Sequence, residues 1–274
     1  MKRFFVVCLA LALAITLAFG ALAESKLEKI LASGKITMAT SPDFAPSEFI
    51  DPGKTGQEMY VGCDIELGKY IAEKLGVELV IEAMDFSAVQ GAVTTGKVDM
   101  AISGFAYTDE RAESMGLSIF FNFDPEENQQ GLLVRKEDVE KYVTLEDFAG
   151  KKVAAQNASL QLNLLTKYIP DAKVELITNL NDAIMMLITG KVDAVGVSKD
   201  NGDSFAANYD QIIMSNVYYD HQDEGNVLAV TKGEDDLLEK INGILAEVNE
   251  QGLYEVWKQE AVALAKSLGL DTEE

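Results

Sequence analysis

The segment Thr95-Gly96-Lys97-Val98-Asp99 recurs further along the chain as Thr189-Gly190-Lys191-Val192-Asp193. Upstream of each copy, Val77-Glu78-Leu79 recurs as Val174-Glu175-Leu176, and the spacing to the longer motif differs by three residues. A single loop change would absorb that difference. Because both motifs recur in the same order and at nearly the same spacing, we infer that the chain contains two halves of related build.

Each copy of the motif lies in a stretch whose pattern predicts a strand, a helix and a strand. Before the first motif, Val89 and Val93 lie one helical turn apart, and short apolar runs flank this helix. Gly96 and Gly190 suit the left-handed position that ends a helix. Such units predict parallel sheets covered by helices, with right-handed crossovers. The predicted elements are strand 77–83, helix 86–95 and strand 98–103 in the first copy, and strand 174–178, helix 182–189 and strand 192–197 in the second.

Both halves also begin alike, with a strand, a loop and a helix. Strand 36–39 precedes a helix that Asp64 can cap and that runs to Leu75, and strand 152–155 precedes helix 159–168. This repetition predicts two lobes rather than one long sheet. Two further extended segments, 131–135 and 225–231, are predicted to cross between the lobes. The first lobe would then comprise residues 24–131 and 230–274, and the second lobe residues 135–224.

The N-terminus has the pattern of a signal peptide. Lys2 and Arg3 precede an apolar stretch, residues 4–22, and Ala21-Leu22-Ala23 fits the small-x-small site of a signal peptidase. We therefore predict cleavage after Ala23 and a periplasmic or secreted mature protein. A membrane anchor is the alternative, because about 20 apolar residues can span a bilayer. Cys8 lacks the sequence context of a lipid-attachment site.

The charge balance excludes several classes of partner. The chain has 23 Lys and Arg against 45 Asp and Glu, a net charge of −22, and loss of Lys2 and Arg3 makes it about −24. Such a field repels nucleic acid and anionic lipid. Cys63 alone would remain after cleavage, so no intrachain disulfide can form. The single histidine, His221, leaves little scope for metal or triad chemistry, and we expect no cofactor, no metal and a monomer.

The loops that follow the predicted strands are the candidate ligand-binding segments. In open parallel sheets, ligands bind beyond the carboxyl ends of the strands. These loops carry small, polar and aromatic residues together with one arginine, Arg111. They are residues 40–46, 103–111, 156–159 and 198–200.

Several stretches resemble the bacterial extracellular solute-binding proteins of family 3, the polar amino-acid type. The resemblance runs from about Gly34 to Gly252 and implies an α/β fold of the type II periplasmic-binding-protein class. In that fold each of two lobes is a mostly parallel sheet flanked by helices, and two crossing strands join the lobes. The stretches that carry the resemblance are Gly62-Cys63-Asp64-Ile65-Glu66-Leu67-Gly68-Lys69, Met84-Asp85-Phe86, Ser103-Gly104-Phe105-Ala106-Tyr107-Thr108-Asp109-Glu110-Arg111 and Leu145-Glu146-Asp147-Phe148-Ala149-Gly150-Lys151-Lys152-Val153-Ala154.

The resemblance implies that Arg111 binds the carboxylate of a small ligand. A planar guanidinium suits this task because it offers two parallel hydrogen bonds. A surface arginine paired with Glu110, Glu113 or Asp109 is the alternative.

The resemblance also supplies further candidates, each with a structural alternative. Ser103, Gly104 and Ala106 would offer backbone groups to the ligand, or merely form the exit of a strand. Phe44, Phe86 and Phe105 would wall the ligand, or simply pack in a core. Ser159, with Asn157 in the same loop, would present the N-terminus of a helix, or only cap that helix.

Three positions depart from the family pattern. Ala106 stands where a hydroxyl residue is common, and Ala158 stands where glycine often precedes Ser159. Ser198 replaces the acid that usually pairs with the ligand's ammonium. Because a buried, unpaired ammonium is costly, either Asp43 or Asp200 takes that position or the ligand is not an ordinary α-amino acid.

The resemblance implies the solute-binding component of an ABC importer, which closes by a hinge around a small amino acid or related carboxylate and docks on a membrane permease. It is not expected to be an enzyme. A periplasmic dehydratase acting on prephenate or arogenate on the same fold, or a ligand-sensing module, is the alternative.

Overall fold

The computed structural model describes residues 24–122, 129–221 and 225–268, so the predicted signal peptide lies outside the described residues. Within these ranges, strands and helices alternate along much of the chain. The strands are β1 (Lys35–Thr40), β2 (Phe49–Ile50), β3 (Tyr60–Val61), β4 (Glu78–Ala83), β5 (Met100–Ala101), β6 (Met115–Leu117), β7 (Gln130–Arg135), β8 (Lys152–Gln156), β9 (Lys173–Ile177), β10 (Ala194–Ser198), β11 (Ile212–Tyr218) and β12 (Ala229–Thr231). The α-helices are α1 (Lys26–Ser33), α2 (Cys63–Leu75), α3 (Phe86–Thr94), α4 (Asp109–Ser114), α5 (Leu160–Tyr168), α6 (Leu180–Ile188), α7 (Lys199–Asn208), α8 (Asp235–Gln251) and α9 (Leu253–Ser267). Short 3-10 helices span Gly56–Met59, Lys136–Lys141 and Leu145–Phe148.

Two five-stranded sheets of equivalent order form the frame of the molecule. The first sheet has the order β4-β1-β5-β12-β6, and the second has the order β9-β8-β10-β7-β11. In the first sheet β12 runs antiparallel to both of its neighbours, and in the second sheet β7 does so. The other four strands of each sheet share one direction. The predicted class, α/β with two lobes of mostly parallel strands, is therefore confirmed.

The recurring motif has the same structural basis in both halves. Gly96 and Gly190 both adopt φ +71°, the left-handed conformation that glycine tolerates best, and each lies just past the end of a helix. The aspartate that closes each motif then ties the incoming strand to the parallel strand beside it, β1 in the first sheet and β8 in the second. Asp99 Oδ2 accepts the backbone N–H of Thr37 at 2.7 Å, and Asp193 Oδ2 accepts that of Lys152 at 2.9 Å.

The segments that the sequence predicted as crossing strands lie inside the sheets. Gln130–Arg135 is β7, hydrogen-bonded between β10 and β11, and Ala229–Thr231 is β12, paired between β5 and β6. Each is the first strand after the chain passes from one sheet to the other. The passage itself falls before Gln130 on the way out and before Ala229 on the return. Of the predicted crossing segments, 131–135 lies within β7, whereas 225–231 begins before β12 and ends with it. The position of the hinge remains a prediction.

The packing of apolar side chains follows the two sheets. One pair of core clusters draws on residues before Asn122 and after Gly225, and the other pair draws on residues between Gln130 and Tyr219. Two residues of the first lobe depart from this division, since Ala106 and Phe44 pack against second-lobe clusters. We call the two bodies the first and second lobes. No described helix is long and apolar enough to cross a membrane.

Candidate ligand-binding site

A cavity lies between the two lobes and encloses about 610 Å³ of space free of protein atoms, counting the part open to solvent. Both lobes contribute to its walls. The residues that line it are Ser41, Asp43, Phe44, Ser47, Glu48, Phe86, Ser103, Gly104, Ala106, Arg111, Gln130, Gln156, Ser159, Leu160, Gln161, Ser198, Asp200 and Asn226.

Strand direction determines which residues reach the cavity. The parallel strands β1, β5, β8 and β10 end at this edge, and the segments that follow them supply most of the wall. The antiparallel strand β7 begins at the same edge, so its first residue, Gln130, also lines the cavity. Asn226, just before the antiparallel β12, does the same. The arrangement is the one expected for a ligand bound beyond the carboxyl ends of parallel strands.

Arg111 is a buried cation on the cavity wall, with 5% of its surface exposed. Its Nη1 donates to the carbonyl of Ala106 at 2.6 Å in the first lobe, and its Nη2 donates to the carbonyl of Ala158 at 3.2 Å in the second. The guanidinium also lies over two rings, 5.4 Å from the centroid of Phe86 and 5.1 Å from that of Phe105. These contacts orient the guanidinium toward the cavity, and its burial does not fit the alternative of a surface arginine paired with Glu110, Glu113 or Asp109.

The three predicted aromatic residues occupy different positions. Phe44 and Phe86 line the cavity from the first lobe. Phe105 does not, because it is fully buried behind Phe86 with ring centroids 5.3 Å apart. Phe105 supports the guanidinium of Arg111 from beneath and belongs to the core, which was the structural alternative for this residue.

The backbone between Ser103 and Ala106 is largely engaged within the protein. The N–H of Gly104, which the resemblance assigned to the ligand carboxylate, donates instead to Asp64 Oδ2 at 2.8 Å. The Ser103 hydroxyl donates to Glu48 Oε1 at 2.8 Å and accepts the N–H of Ser41 at 3.0 Å. Ala106 offers its carbonyl to Arg111. This segment therefore shapes the cavity and orients Arg111.

The second lobe presents the N-terminus of α5 to the cavity. Ser159 is the N-cap residue and accepts the N–H of Leu162 at 3.1 Å, and Ser159, Leu160 and Gln161 all line the wall. A helix N-terminus attracts negative charge. Ala158 adopts the left-handed conformation at φ +60°, which costs a non-glycine residue about 1 kcal/mol. In this conformation the carbonyl of Ala158 accepts hydrogen bonds from Arg111 and Gln90, which lie across the cleft on the first lobe.

Asp200 lies two residues beyond Ser198, the serine at the position where the family usually has an acid. Ser198 lines the cavity, and its hydroxyl donates to Asp200 Oδ1 at 2.6 Å. Asp200 also accepts the N–H of Asn201 at 2.7 Å and itself lines the wall. Asn157, in contrast, is exposed and outside the cavity, because side chains alternate along the end of β8 and it is Gln156 that points inward.

Asp43 connects the lobes. Its carboxylate accepts the N–H of Leu180, at the start of α6, at 2.8 Å and the amide of Gln156 at 3.3 Å, both in the second lobe. The hydroxyl of Ser41 completes the set at 2.9 Å. Burial raises the pKa of Asp43, and these donors oppose that effect. Asn201 adds a further contact, from its amide to the carbonyl of Ala45 at 2.9 Å, so the lobes are closed on each other.

A pair of buried carboxyl groups, Glu48 and Asp64, forms one end of the cavity. Glu48 is 1% exposed and lines the wall, and Asp64 is fully buried beside it. Asp64 does not cap α2 as predicted, since the helix begins at Cys63 and Gly62 is its N-cap. Its oxygens instead accept from Gly104 and from the hydroxyl of Tyr254 at 2.6 Å. Burial, reinforced by the charge of Asp64, holds the pKa of Glu48 well above its usual range.

Several wall residues were absent from the sequence-based candidates. They occupy three kinds of position: the start of an antiparallel strand or the residues just before it, the loop that follows β1, and the end of β8 with the first turn of α5. Knowledge of strand direction would have indicated the first kind. Ser41 and Gln156 lie in the candidate segments 40–46 and 156–159, but nothing in the sequence pattern singled them out there. These residues are Ser41, Ser47, Glu48, Gln130, Gln156, Leu160, Gln161 and Asn226.

Two similar lobes closed around a polar cavity, with an arginine on one wall and acids on others, define a two-lobed binding protein. The chain belongs to the bacterial extracellular solute-binding proteins, family 3, whose family model matches residues 36–260. The family resemblance seen in the sequence is thereby confirmed.

Three similar proteins illustrate the relationship. The arginine-binding extracellular protein ArtP of Bacillus subtilis is 28% identical over 255 residues, covering 92% of this chain and 95% of its own. A probable histidine-binding protein of Campylobacter jejuni is 28% identical, covering 80% and 82%. A crystal structure of an amino acid ABC transporter substrate-binding protein from Streptococcus pneumoniae, bound to L-arginine, is 34% identical with a TM-score of 0.80, covering 87% and 98%. All three are named as binding proteins and none as an enzyme.

The raised pKa of Glu48 predicts a pH-dependent effect of Glu48→Gln on stability. In the unfolded chain Glu48 ionises near its ordinary pKa of about 4.3, whereas the folded protein retains the proton to higher pH. Between these two values the unfolded state binds fewer protons, so stability falls by up to about 1.4 kcal/mol per pH unit. Glutamine removes this contribution.

We therefore expect the ligand-free variant to gain stability over the wild type as pH rises from 4 to 7, measured by thermal unfolding at a series of pH values. Glu175→Gln, the same change at an exposed position of β9, serves as the control and shows no such trend. Parallel wild-type and Glu48→Gln curves across this range would contradict a protonated Glu48.

Proposed function

We propose that this chain is the extracytoplasmic substrate-binding component of an ABC importer and that it binds an α-amino acid with a positively charged side chain. The observation that carries the proposal is the charge arrangement of one closed cavity. Arg111 lies on its wall as the sole cation among the described lining residues, and the carboxyl groups of Asp43, Glu48 and Asp200 lie there too. An amino acid zwitterion needs both signs of charge.

The ligand's carboxylate is assigned to Arg111 and the N-terminus of α5. Both are sources of positive potential on opposite lobes, so a carboxylate between them strengthens closure. Ala158 already brings these lobes together by accepting from Arg111. The ligand's ammonium is assigned to Asp200, which Ser198 orients by a hydrogen bond. Asp200 thereby takes the role of the acid that the family usually has at position 198.

A cationic side chain is favoured by the remaining acids and by the aromatic walls. Asp43 and Glu48 lie on the wall formed by the loop after β1, and Phe44 and Phe86 offer ring faces that attract a guanidinium or an ammonium. The net charge of −22 concentrates cations around the protein and speeds their capture. The arginine- and histidine-binding names of relatives agree with this assignment.

The proposed mechanism is closure of the two lobes around the ligand. The ligand first binds the first-lobe wall of Arg111, Phe44 and Phe86, and the second lobe then adds Ser159 and Asp200. Closure at the two connections between the sheets is a common motion of such proteins. The closed form is recognised by a permease, and the protein reaches the outside of the membrane through a signal peptide cut after Ala23.

A dehydratase on the same fold is the second candidate, and the buried carboxyl of Glu48 on the cavity wall is the observation that favours it. A general acid must carry a proton in the cavity, and burial raises the pKa of Glu48 well above its usual range. We prefer binding because the other carboxylates of the wall, Asp43 and Asp200, already accept hydrogen bonds that hold the lobes together or order α7. Formation of an aromatic product from prephenate or arogenate would reverse this preference.

A thermal-shift screen tests the ligand class. A ligand at a hundred times its Kd stabilises the native state by about 2.7 kcal/mol, which raises the Tm of a protein of this size by about 5–10 °C. We expect arginine, lysine or histidine to give such a shift, and glutamate and aspartate to give none, because their side chains would meet the acids of the wall. A shift with an acidic amino acid alone would contradict the proposed ligand class.

Arg111→Lys is expected to raise the Kd for the ligand found in that screen on the order of 100-fold, about 3 kcal/mol. A single ammonium cannot reach the carbonyls of Ala106 and Ala158 and also form a bidentate bond to a carboxylate. Isothermal titration calorimetry gives the affinity. Arg135→Lys is the matched control, because Arg135 bonds Asp138 inside the second lobe, away from the cavity, and leaves the Kd unchanged. Equal affinity of wild type and Arg111→Lys would contradict the assignment of the carboxylate.

A further inference from the structure

Two buried carboxyl groups are held side by side at one end of the cavity. Ser103 donates its hydroxyl to Glu48, and the next residue, Gly104, donates its N–H to Asp64, both at 2.8 Å. Adjacent donors on one turn therefore place the two carboxyls against each other. Tyr254 also donates to Asp64, at 2.6 Å from α9. Glu48 is 1% exposed and Asp64 is fully buried, so both carboxyls are withdrawn from bulk solvent.

Such a pair requires a proton. Two ionised carboxylates that lie near each other repel, and burial adds to the cost of each charge. The oxygens of Asp64 already accept from Gly104 and Tyr254, which stabilise its ionised form. Glu48 accepts on Oε1 alone, while its buried Oε2 receives no hydrogen bond from a donor group. Burial raises the pKa of both groups, but donors reach both oxygens of Asp64 and only one oxygen of Glu48, which makes Glu48 the better carrier of the proton.

We propose that Glu48 carries a proton in the ligand-free cavity and releases it when the positively charged side chain of the ligand binds against it, so that capture of the ligand is coupled to proton release. This inference rests on the proposed function, because a neutral ligand would leave the proton in place. Glu48 is then a specificity-determining residue whose charge adapts to that of the ligand.

The other titratable groups around Glu48 do not replace it as the source of the proton. Asp43 accepts three hydrogen bonds in the closed protein, which favour its ionised form. Asp200, on the opposite lobe, accepts from Ser198.

The groups behind the carboxyl pair are buried. Burial raises the pKa of the Cys63 thiol and of the Tyr254 hydroxyl, so both remain protonated and neutral at neutral pH. Lys258, buried on α9, contributes a positive charge near Cys63. Burial and the charges of Asp64 and Asp43 raise the pKa of Glu48, and an incoming cation opposes that effect.

The coupling has a definite sign. At a pH where Glu48 is protonated in the free protein and ionised in the complex, each bound cation displaces one proton, and affinity rises up to tenfold per pH unit. Above the pKa of the free protein no proton remains to be released, and the affinity becomes constant. Lowering the pH therefore weakens the binding of a cationic ligand.

Calorimetry measures the released proton directly. Wild-type protein is titrated with arginine at pH 6 to 7.5 in two buffers of different ionisation enthalpy, a range in which arginine itself keeps its single positive charge. The difference in binding enthalpy gives the number of protons released, and we expect a value approaching one at the acid end, with the affinity rising as pH rises. Lysine replaces arginine if the thermal-shift screen selects it.

Two controls isolate Glu48. Citrulline, a neutral analogue of arginine of nearly the same shape, should bind without proton release. Glu48→Gln keeps the shape and charge of the protonated residue, so we expect it to fold, to bind arginine at least tenfold more weakly and to release no proton. Glu175→Gln, the same change at an exposed position, should release the proton as the wild type does.

Each outcome is decisive. Arginine binding without proton release in the wild type, or proton release that persists in Glu48→Gln, would overturn the inference and leave the proposed function intact. If no cationic amino acid binds at any pH, the proposed function and this inference both fail.

Discussion

The structure depends on one buried cation, the guanidinium of Arg111, which accepting groups of both lobes hold in place. A charge removed from water is tolerated only where it is paired or fully hydrogen-bonded. The carbonyl of Ala106 on the first lobe and that of Ala158 on the second accept hydrogen bonds from the guanidinium. The rings of Phe86 and Phe105 flank it. The same contacts that orient Arg111 toward the cavity therefore also close the cleft.

The opposite charges of the cavity follow from that constraint. The cavity has one cation and several acids. An amino acid with a cationic side chain complements it, because its carboxylate matches the cation and its two positive groups match the acids. Asp43 contributes to closure rather than to the ligand alone, because it accepts from the first residue of α6 in the second lobe. Asp200 and Glu48 differ in environment, since Asp200 is half-buried, whereas burial and a neighbouring carboxyl raise the pKa of Glu48. The proposed proton release therefore concerns Glu48.

The sequence predicted much of the fold because the physical signals repeat. The two glycine-lysine-valine-aspartate motifs end a helix and tie two strands in both halves, and the loops after parallel strands gave Arg111 and Ser159 as wall residues. The sequence did not predict features that depend on strand direction within a sheet or on which side chains become buried together. The pattern cannot show that β7 and β12 run antiparallel within the sheets, so Gln130 was missed. A single acid in a loop, such as Glu48, gives no indication of its burial.

The crystal structure of the complex with arginine tests the central claim most directly. The account predicts that the ligand lies in the interlobe cavity, with its carboxylate oxygens about 2.7–3.2 Å from the guanidinium nitrogens of Arg111 and its side chain between Phe44 and Phe86. A ligand bound outside the cleft, or one inside it whose carboxylate does not contact Arg111, would contradict the account.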